Sequence, residues 1–445
     1  MEHLARTALL AVDVDLNALA RPLFEPALGS DAAGPLAGVP IVIKDSGPFA
    51  HGVPFALGSR ALRGAVAQVD HELMARFRAA GLVAIGQSTA PELGLNFATE
   101  PLRTGPTRNP WNLARGVGGS SGGAAALVAA GAVPVAHAND AAGSIRVPAA
   151  WCGVVGLKPS RGRTPSGPLT GEAGFGLIQE FAITRSVRDA ASLLDAVSAP
   201  SVGEKYTLPA PPLSYVDSLR TDPGRLRIAL QTTAWSGVPV DAQVAGTAAS
   251  VARTLEWIGH SVSAGFPAIT GEDIVEAEML AVYATGAAML RAPRRPDPAL
   301  LEATSRVILD ETARAGALDV AAALDAQHRV TRTIGLFFTE YDILITPTVA
   351  QLPPPHGTLD YDGAGYTARS WLTRILEFGP FTAPFNISGH PAISLPLSQS
   401  RDGLPIGVQL VAAPGRDDLL LQVAAQLEQA TPWAERMPPI HADQH

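Results

Sequence analysis

The sequence predicts an α/β sandwich, and three features of its 445 residues point there. Short apolar runs of strand type alternate along the chain with longer segments whose apolar residues recur at helical spacing, the pattern of sheet layers covered by helices. Hydrophobic residues make up 47% and charged residues 17%, a globular composition with enough apolar mass for a substantial core. Length alone would allow about three domains, but large α/β enzymes of this size run as one, so a single unit over residues 1–445 is expected.

In chain order, VPIVIK (39–44) is an apolar β-type run ending in Lys44. Asp70 is placed to cap a helix whose apolar side is Leu73, Met74 and Phe77 and which ends at Gly81. Leu82–Ile85 reads as a buried strand, and Pro91-Glu92-Leu93 opens the next helical segment. Residues 105–116 form a Pro- and Asn-rich loop feeding GVGGSSGG, where seven of eight residues are Gly or Ser. Such a stretch lets the backbone approach a ligand closely. Ser121–Ala132, nearly all Ala, Gly, Leu or Val, reads as a narrow interior helix with Ser120 and Ser121 at its first turn. Val133–Ala138 is a short strand delivering the chain into the tight turn Asp140-Ala141-Ala142-Gly143-Ser144. Successive free amides in a turn of this kind bind an anion, including the developing oxyanion of acyl transfer. Ser186 and Asp189 form a capping box for a helix over 187–197. A Pro-rich connection (200–225) leads to a strand (226–231) and a helix (241–258) presenting Val244, Val251 and Leu255. Ala-rich helical sequence dominates 269–333, YDILITPT (341–348) returns to strand, and a last helix covers 418–429.

Composition also excludes function classes. A net charge of −8 with no basic cluster argues against nucleic acid or an anionic membrane as partner. Cys152, the single cysteine, rules out an internal disulfide; set in AAWCGVVG, it reads as a buried packing residue. No apolar run is long enough to span a membrane, and Glu2, Asp13 and Asp15 make residues 1–20 unlike a signal peptide. A cytoplasmic location is expected.

Lysine is scarce: Lys44, Lys158 and Lys205 stand against thirty arginines. Arg serves wherever a plain positive charge suffices, whereas Lys can act as a base once burial or neighbouring cations disfavour its charged form. Lys44, at a strand end, is the best base in the chain; its competing reading is a simple pair with a carboxylate. Lys205 lies in the polar linker and is expected to be solvated.

The stretch 116–165, with GGSSGG and the turn at Gly143-Ser144, resembles the amidase signature family of serine hydrolases that cleave C–N bonds of amides. PLAGVP (35–40), 105–116, GLKPSRGR, FTAPFNISGHPAISLP (381–396) and GLPIGVQLV (403–411) match it too, the last two as closing strands. The resemblance covers roughly 35–200 and 340–430. It implies a single large α/β/α sandwich with a mixed, twisted central sheet covered by helices: a signature core at about 35–200, a variable helical segment at about 240–335 and closing elements at about 340–430. It also implies that Ser144 is the nucleophile, that Ser120, joined to its neighbour through a cis peptide, bridges to the base Lys44, and that Lys158 is structural. The backbone N–H groups of Ala141, Ala142, Gly143 and Ser144 would hold the oxyanion. Ser121 supports the bridge, and Asp140 and Arg146 are expected to pair and shape the turn. No metal or cofactor is required. The expected partners are a small-molecule amide and, at most, a second copy of the chain.

Where the family has Gly-Thr-Asp-Thr-Gly-Gly-Ser, this chain has Ala138-Asn139-Asp140-Ala141-Ala142-Gly143-Ser144, so a positive φ at Ala142 would be strained. Many relatives carry a longer N-terminal helical segment; Asp15-Leu16-Asn17-Ala18 looks like its remnant, and a more open active site is expected. Gly118-x-Ser120-x-Gly122 also fits an esterase nucleophile elbow, but no apolar strand precedes it. His71-Glu72 lacks the second His of a zinc motif, and Gly116–Gly123 lacks the G-K-[ST] of a phosphate loop. Within the family, a carbamate or ester hydrolase on the same triad and an amidotransferase subunit are the alternatives to a stand-alone amidase. LKPSRGRTPSGP is similar to a segment of amidases acting on nylon-type oligomers, which points toward ω-amino or aryl amides.

Overall fold

The computed structural model describes residues 1–62, 64–169 and 171–444. Its strands are β1 (Pro40–Lys44), β2 (Val83–Ser88), β3 (Arg108–Asn109), β4 (Asn112–Gly116), β5 (Val135–Asp140), β6 (Val155–Lys158), β7 (Gln179–Thr184), β8 (Arg227–Leu230), β9 (Ser261–Ala264), β10 (Ile343–Pro347), β11 (Ala392–Gln399) and β12 (Pro405–Ala412). Ten of them form one sheet in the order β2-β1-β5-β7-β6-β11-β12-β10-β8-β9. β2, β1 and β5 run parallel, as do β10, β8 and β9, while the strands between are antiparallel. The sheet is therefore mixed, as the resemblance implied.

Helices cover both faces, and the strands serve both layers by alternation. Ile343 and Ile345 enter one apolar cluster while Leu344 between them enters the other. The first cluster holds the apolar sides of helices Glu2–Leu16, Gly122–Ala129, Val187–Val197, Ala242–Ile258 and Asp417–Ala430. The second holds those of Gly271–Leu290, Ala317–Phe337 and Ala368–Leu376. β1 is buried at every position, which is why PIVIK reads as a continuous apolar run rather than an alternating one.

The structure departs from the sequence reading at element ends. Gly131, at φ 71, stops the interior helix after Ala129, with Gly131 and Ala132 N–H groups donating to the carbonyls of Val128 and Leu127; the next strand then starts at Val135 and runs on to Asp140. The helix after Asp70 is capped by His71, whose Nδ1 accepts from Leu73 N at 3.1 Å; Asp70 instead binds Arg78 Nε at 2.9 Å. Ser186 caps its helix through Asp189 N, without the return bond of a capping box. Residues 105–116 are not all loop, since β3 and β4 pair there. Residues 381–390 form turns and a short helix, Pro384–Ile387, so the closing strand begins only at Ala392. A helix covers Glu2–Leu16, with Leu9, Val12 and Leu16 buried, and Asn17 ends it in the left-handed conformation. Trp371 sits in a helix and packs edge-on against Tyr361 and Tyr366 in the core. Lys205 is ion-paired with Glu172 at the surface. Among the described residues, no helix is long and apolar enough to cross a membrane.

Candidate active site

Parallel pairing of β1 with β5 (Ile41 opposite Val135, Val42 opposite Ala136) ends both strands at the same rim of the sheet. Lys44 and the turn after Asp140 thus meet there. Lys44 Nζ lies 2.7 Å from Ser120 Oγ and donates to Asn139 Oδ1 at 2.6 Å. Its sequence neighbour Asp45 is turned away, accepting from Ala56 N and Gly58 N at 3.0 Å and facing Arg21. Among the described residues, no carboxylate comes within ion-pair distance of Lys44, so the strand-end ion pair is not formed. Lys44 is 1% exposed. Burial lowers its ammonium to about 7, against the opposing pull of Glu180 and Asp140.

The Gly/Ser stretch brings Ser120 in from the other side. The Gly119–Ser120 peptide is cis. Gly119 cannot be another residue without a shift, because a Cβ there would sit 2.3 Å from the carbonyl oxygen of Asn96. Ser121 is buried, and its hydroxyl donates to Asn139 O at 3.3 Å, tying the start of the helix Gly122–Ala129 to β5.

Ser144 lies in the turn between β5 and the helix Arg146–Cys152. Among the described residues its hydroxyl has no hydrogen-bond partner, and the N–H groups of Ala141, Ala142, Gly143 and Ser144 meet no acceptor. Asp140 and Arg146, both without solvent exposure, form a two-point ion pair: Nη2 to Oδ1 at 2.8 Å and Nε to Oδ2 at 2.9 Å. Burial opposes ionisation of Asp140, but Arg146 outweighs it and holds the carboxyl at about 2. Asp140 Oδ2 also accepts from Ile145 N at 3.1 Å. From the far side, Thr382 Oγ1 donates to Ala142 O at 2.5 Å and Asn386 Nδ2 to Asp140 O at 2.8 Å, while Arg146 donates to Gln409 Oε1 at 2.8 Å. The carbonyls of Asp140 and Ala142 are thereby occupied, while the N–H groups of residues 141–144 meet no acceptor among the described residues.

Lys44 and Ser120 meet through a hydrogen bond, Ser121 is tied to β5 and Asp140 is paired with Arg146. Ser144 sits in the turn after β5 with no hydrogen bond to Ser120 or Lys44 among the described residues. The strain anticipated at Ala142 does not arise: the positive φ of the turn falls on Gly143, at 146°. Ser120 and Ser144 are 2% and 4% exposed. Lys158 is buried, its Nζ donating to Pro159 O, and Cys152 is buried with its thiol pushed up by desolvation. Thr382, Asn386, Gln409, Asn139 and Glu180 went unread in the sequence. Asn139 stands where the family has Thr, and Thr382, Asn386 and Gln409 lie in the family-matching segments 381–396 and 403–411, whereas Glu180 left no signal.

A family model described as Amidase matches residues 15–421. The chain is 39% identical to a 6-aminohexanoate-cyclic-dimer hydrolase of Pseudomonas sp. (strain NK87), over 98% of this chain and 94% of that one. Among solved structures it superposes on a 6-aminohexanoate cyclic dimer hydrolase with a TM-score of 0.93 at 38% identity, covering 99% of this chain and 95% of the other. A bacterial aryl acylamidase follows at 0.86 and 28%, covering 97% and 93%. Fold and relatives together define a hydrolase of amide bonds. The chain belongs to the amidase signature family.

Proposed function

We propose that the chain hydrolyses a secondary amide through an acyl-enzyme, with Ser144 as nucleophile, Ser120 as proton bridge and Lys44 as base. The observation that carries this is Lys44: a buried amine with no carboxylate partner among the described residues, 2.7 Å from Ser120 Oγ. With Lys44 neutral, the Ser120 hydroxyl donates to Nζ. Ser144 Oγ attacks the carbonyl carbon while its proton passes to Ser120 Oγ and the Ser120 proton to Nζ. The four free N–H groups of residues 141–144 take the oxyanion. The C–N bond breaks as the proton returns along the same path to the leaving nitrogen, and water then attacks the ester by the same relay. The relatives named for the 6-aminohexanoate cyclic dimer, together with LKPSRGRTPSGP, favour an amide of an aliphatic ω-amino acid as substrate. Charge and the lone buried cysteine fit work in the cytoplasm.

The test is turnover of the 6-aminohexanoate cyclic dimer, linear aliphatic amides, aryl amides, carbamates and p-nitrophenyl esters by wild type, Ser144→Ala and Lys44→Ala. Amide turnover is expected to fall by about 10³-fold or more in both variants with the fold intact. Full activity in Ser144→Ala would sink the mechanism and transfer the nucleophile role to Ser120.

A further inference from the structure

Behind Lys44 lies a row of polar groups that the acyl-transfer steps do not use, His137 buried and Asn139 and Glu180 half-buried. β5 pairs antiparallel with β7, and the register sets Asn139 opposite Glu180. His137, two residues before Asn139 on β5, shares its face of the sheet. Asn139 Nδ2 donates to Glu180 Oε1 at 3.2 Å, and Glu180 Oε2 lies 2.7 Å from His137 Nε2. His137 has no solvent exposure, and burial lowers its basicity, which favours the neutral ring against the pull of Glu180. His137 Nδ1 is buried and has no partner among the described residues. A neutral ring carrying its proton on Nε2 donates to Glu180 and leaves Nδ1 as a bare acceptor, which accounts for both observations.

The chemistry of this row runs in one direction. A carboxylate can only accept, so Glu180 draws the Asn139 amide nitrogen toward itself and turns Oδ1 toward Lys44. An amide oxygen can only accept as well, so Lys44 must give it an N–H.

We propose that Asn139, Glu180 and His137 form a positioning relay for Lys44: Glu180, held by His137, fixes the Asn139 amide so that one Lys44 N–H is taken and the Nζ lone pair faces Ser120. This rests on the reading of Lys44 as base. The relay also places one negative charge, Glu180, near Nζ. The titratable and charged groups surrounding Lys44 are then Glu180 from β7, Asp140 and His137 from β5, and His71 from the start of the helix Glu72–Ala79.

With only three lysines in the chain, [ε-¹³C]lysine labelling reads the Lys44 titration directly by NMR, its signal assigned by loss in Lys44→Ala. In Glu180→Gln the negative charge is gone and a Gln amide can flip the Asn139 amide. The Lys44 midpoint is expected to fall by about one pH unit from its wild-type value, and the acid limb of kcat/KM to follow it downward. Plateau kcat/KM is expected to drop by about 10-fold or more. Asn139→Asp, nearly isosteric, puts a carboxylate against Nζ, and both midpoint and limb are expected to rise. If Glu180→Gln does not fold, Asn139→Asp carries the test. A midpoint unmoved in the folded variants overturns the proposal, even where activity is lost. Midpoints that move as stated in a chain that hydrolyses no amide uphold the relay and sink the hydrolase mechanism instead.

Discussion

Asp140 and Arg146 are both sealed from water, so neither charge has a substitute partner in solvent. Asp140→Asn leaves the Arg146 guanidinium buried against a neutral amide, and a loss of about 3–5 kcal/mol of stability is expected, read as a lower denaturation midpoint in urea. A loss below about 1 kcal/mol would mean that Gln409, Asn386 and the Thr382 carbonyl suffice for Arg146 alone. Because the Asp140 carboxyl is held near 2, below its ordinary 3.8, its contribution is complete above pH 4 and lost as pH falls toward 2. At this scale the sequence was legible wherever rarity or motif marked a residue. Lys44 stood out because only three lysines exist and one ends an apolar strand; Ser120 and Ser144 stood out by their glycine settings. Glu180 carried no such mark, and Asn386 only its place in a family-matching segment. Glu180 reaches Asn139 through strand register, and Asn386 reaches Asp140 across 246 residues, neither of which is written in local sequence.

The turn 140–144 works as an element because its single left-handed position is a glycine. Gly143 has φ 146°, and a Cβ on it would meet Thr382 Oγ1 at 2.4 Å. Gly143→Ala therefore combines backbone strain with a clash against the hydroxyl that holds the Ala142 carbonyl. A stability loss on the order of 1–3 kcal/mol is expected, with hydrolysis falling further than stability because the amide cradle is displaced. A variant that keeps wild-type kcat would show that the cradle does not depend on this geometry. Helix and strand identities here were readable from composition, but their ends were not. The sequence marks a strand only as far as residue 138 because Asn139 and Asp140 are poor strand residues by propensity, and pairing with β7 overrides that preference.

The whole molecule shares one sheet between two apolar layers, with neighbouring side chains of the same strand committed to opposite layers. Neither layer can come apart without stripping the other, so a single cooperative calorimetric transition is expected; two resolved transitions would mean separate units. The α/β class followed from alternating periodicities, whereas the strand order did not, because long-range pairings such as β6 with β11 leave no local trace. The same pairings govern when the site exists. Arg146 is held by Thr382, Asn386 and Gln409, between 236 and 263 residues further on. During synthesis Ser144 emerges long before the residues that hold its turn, so a chain still on the ribosome carries the serine without the contacts that shape its setting. The contacts that set this turn form only once β12 and the segment before β11 are in place, so a chain that stops short of them lacks the geometry on which the proposed hydrolysis depends.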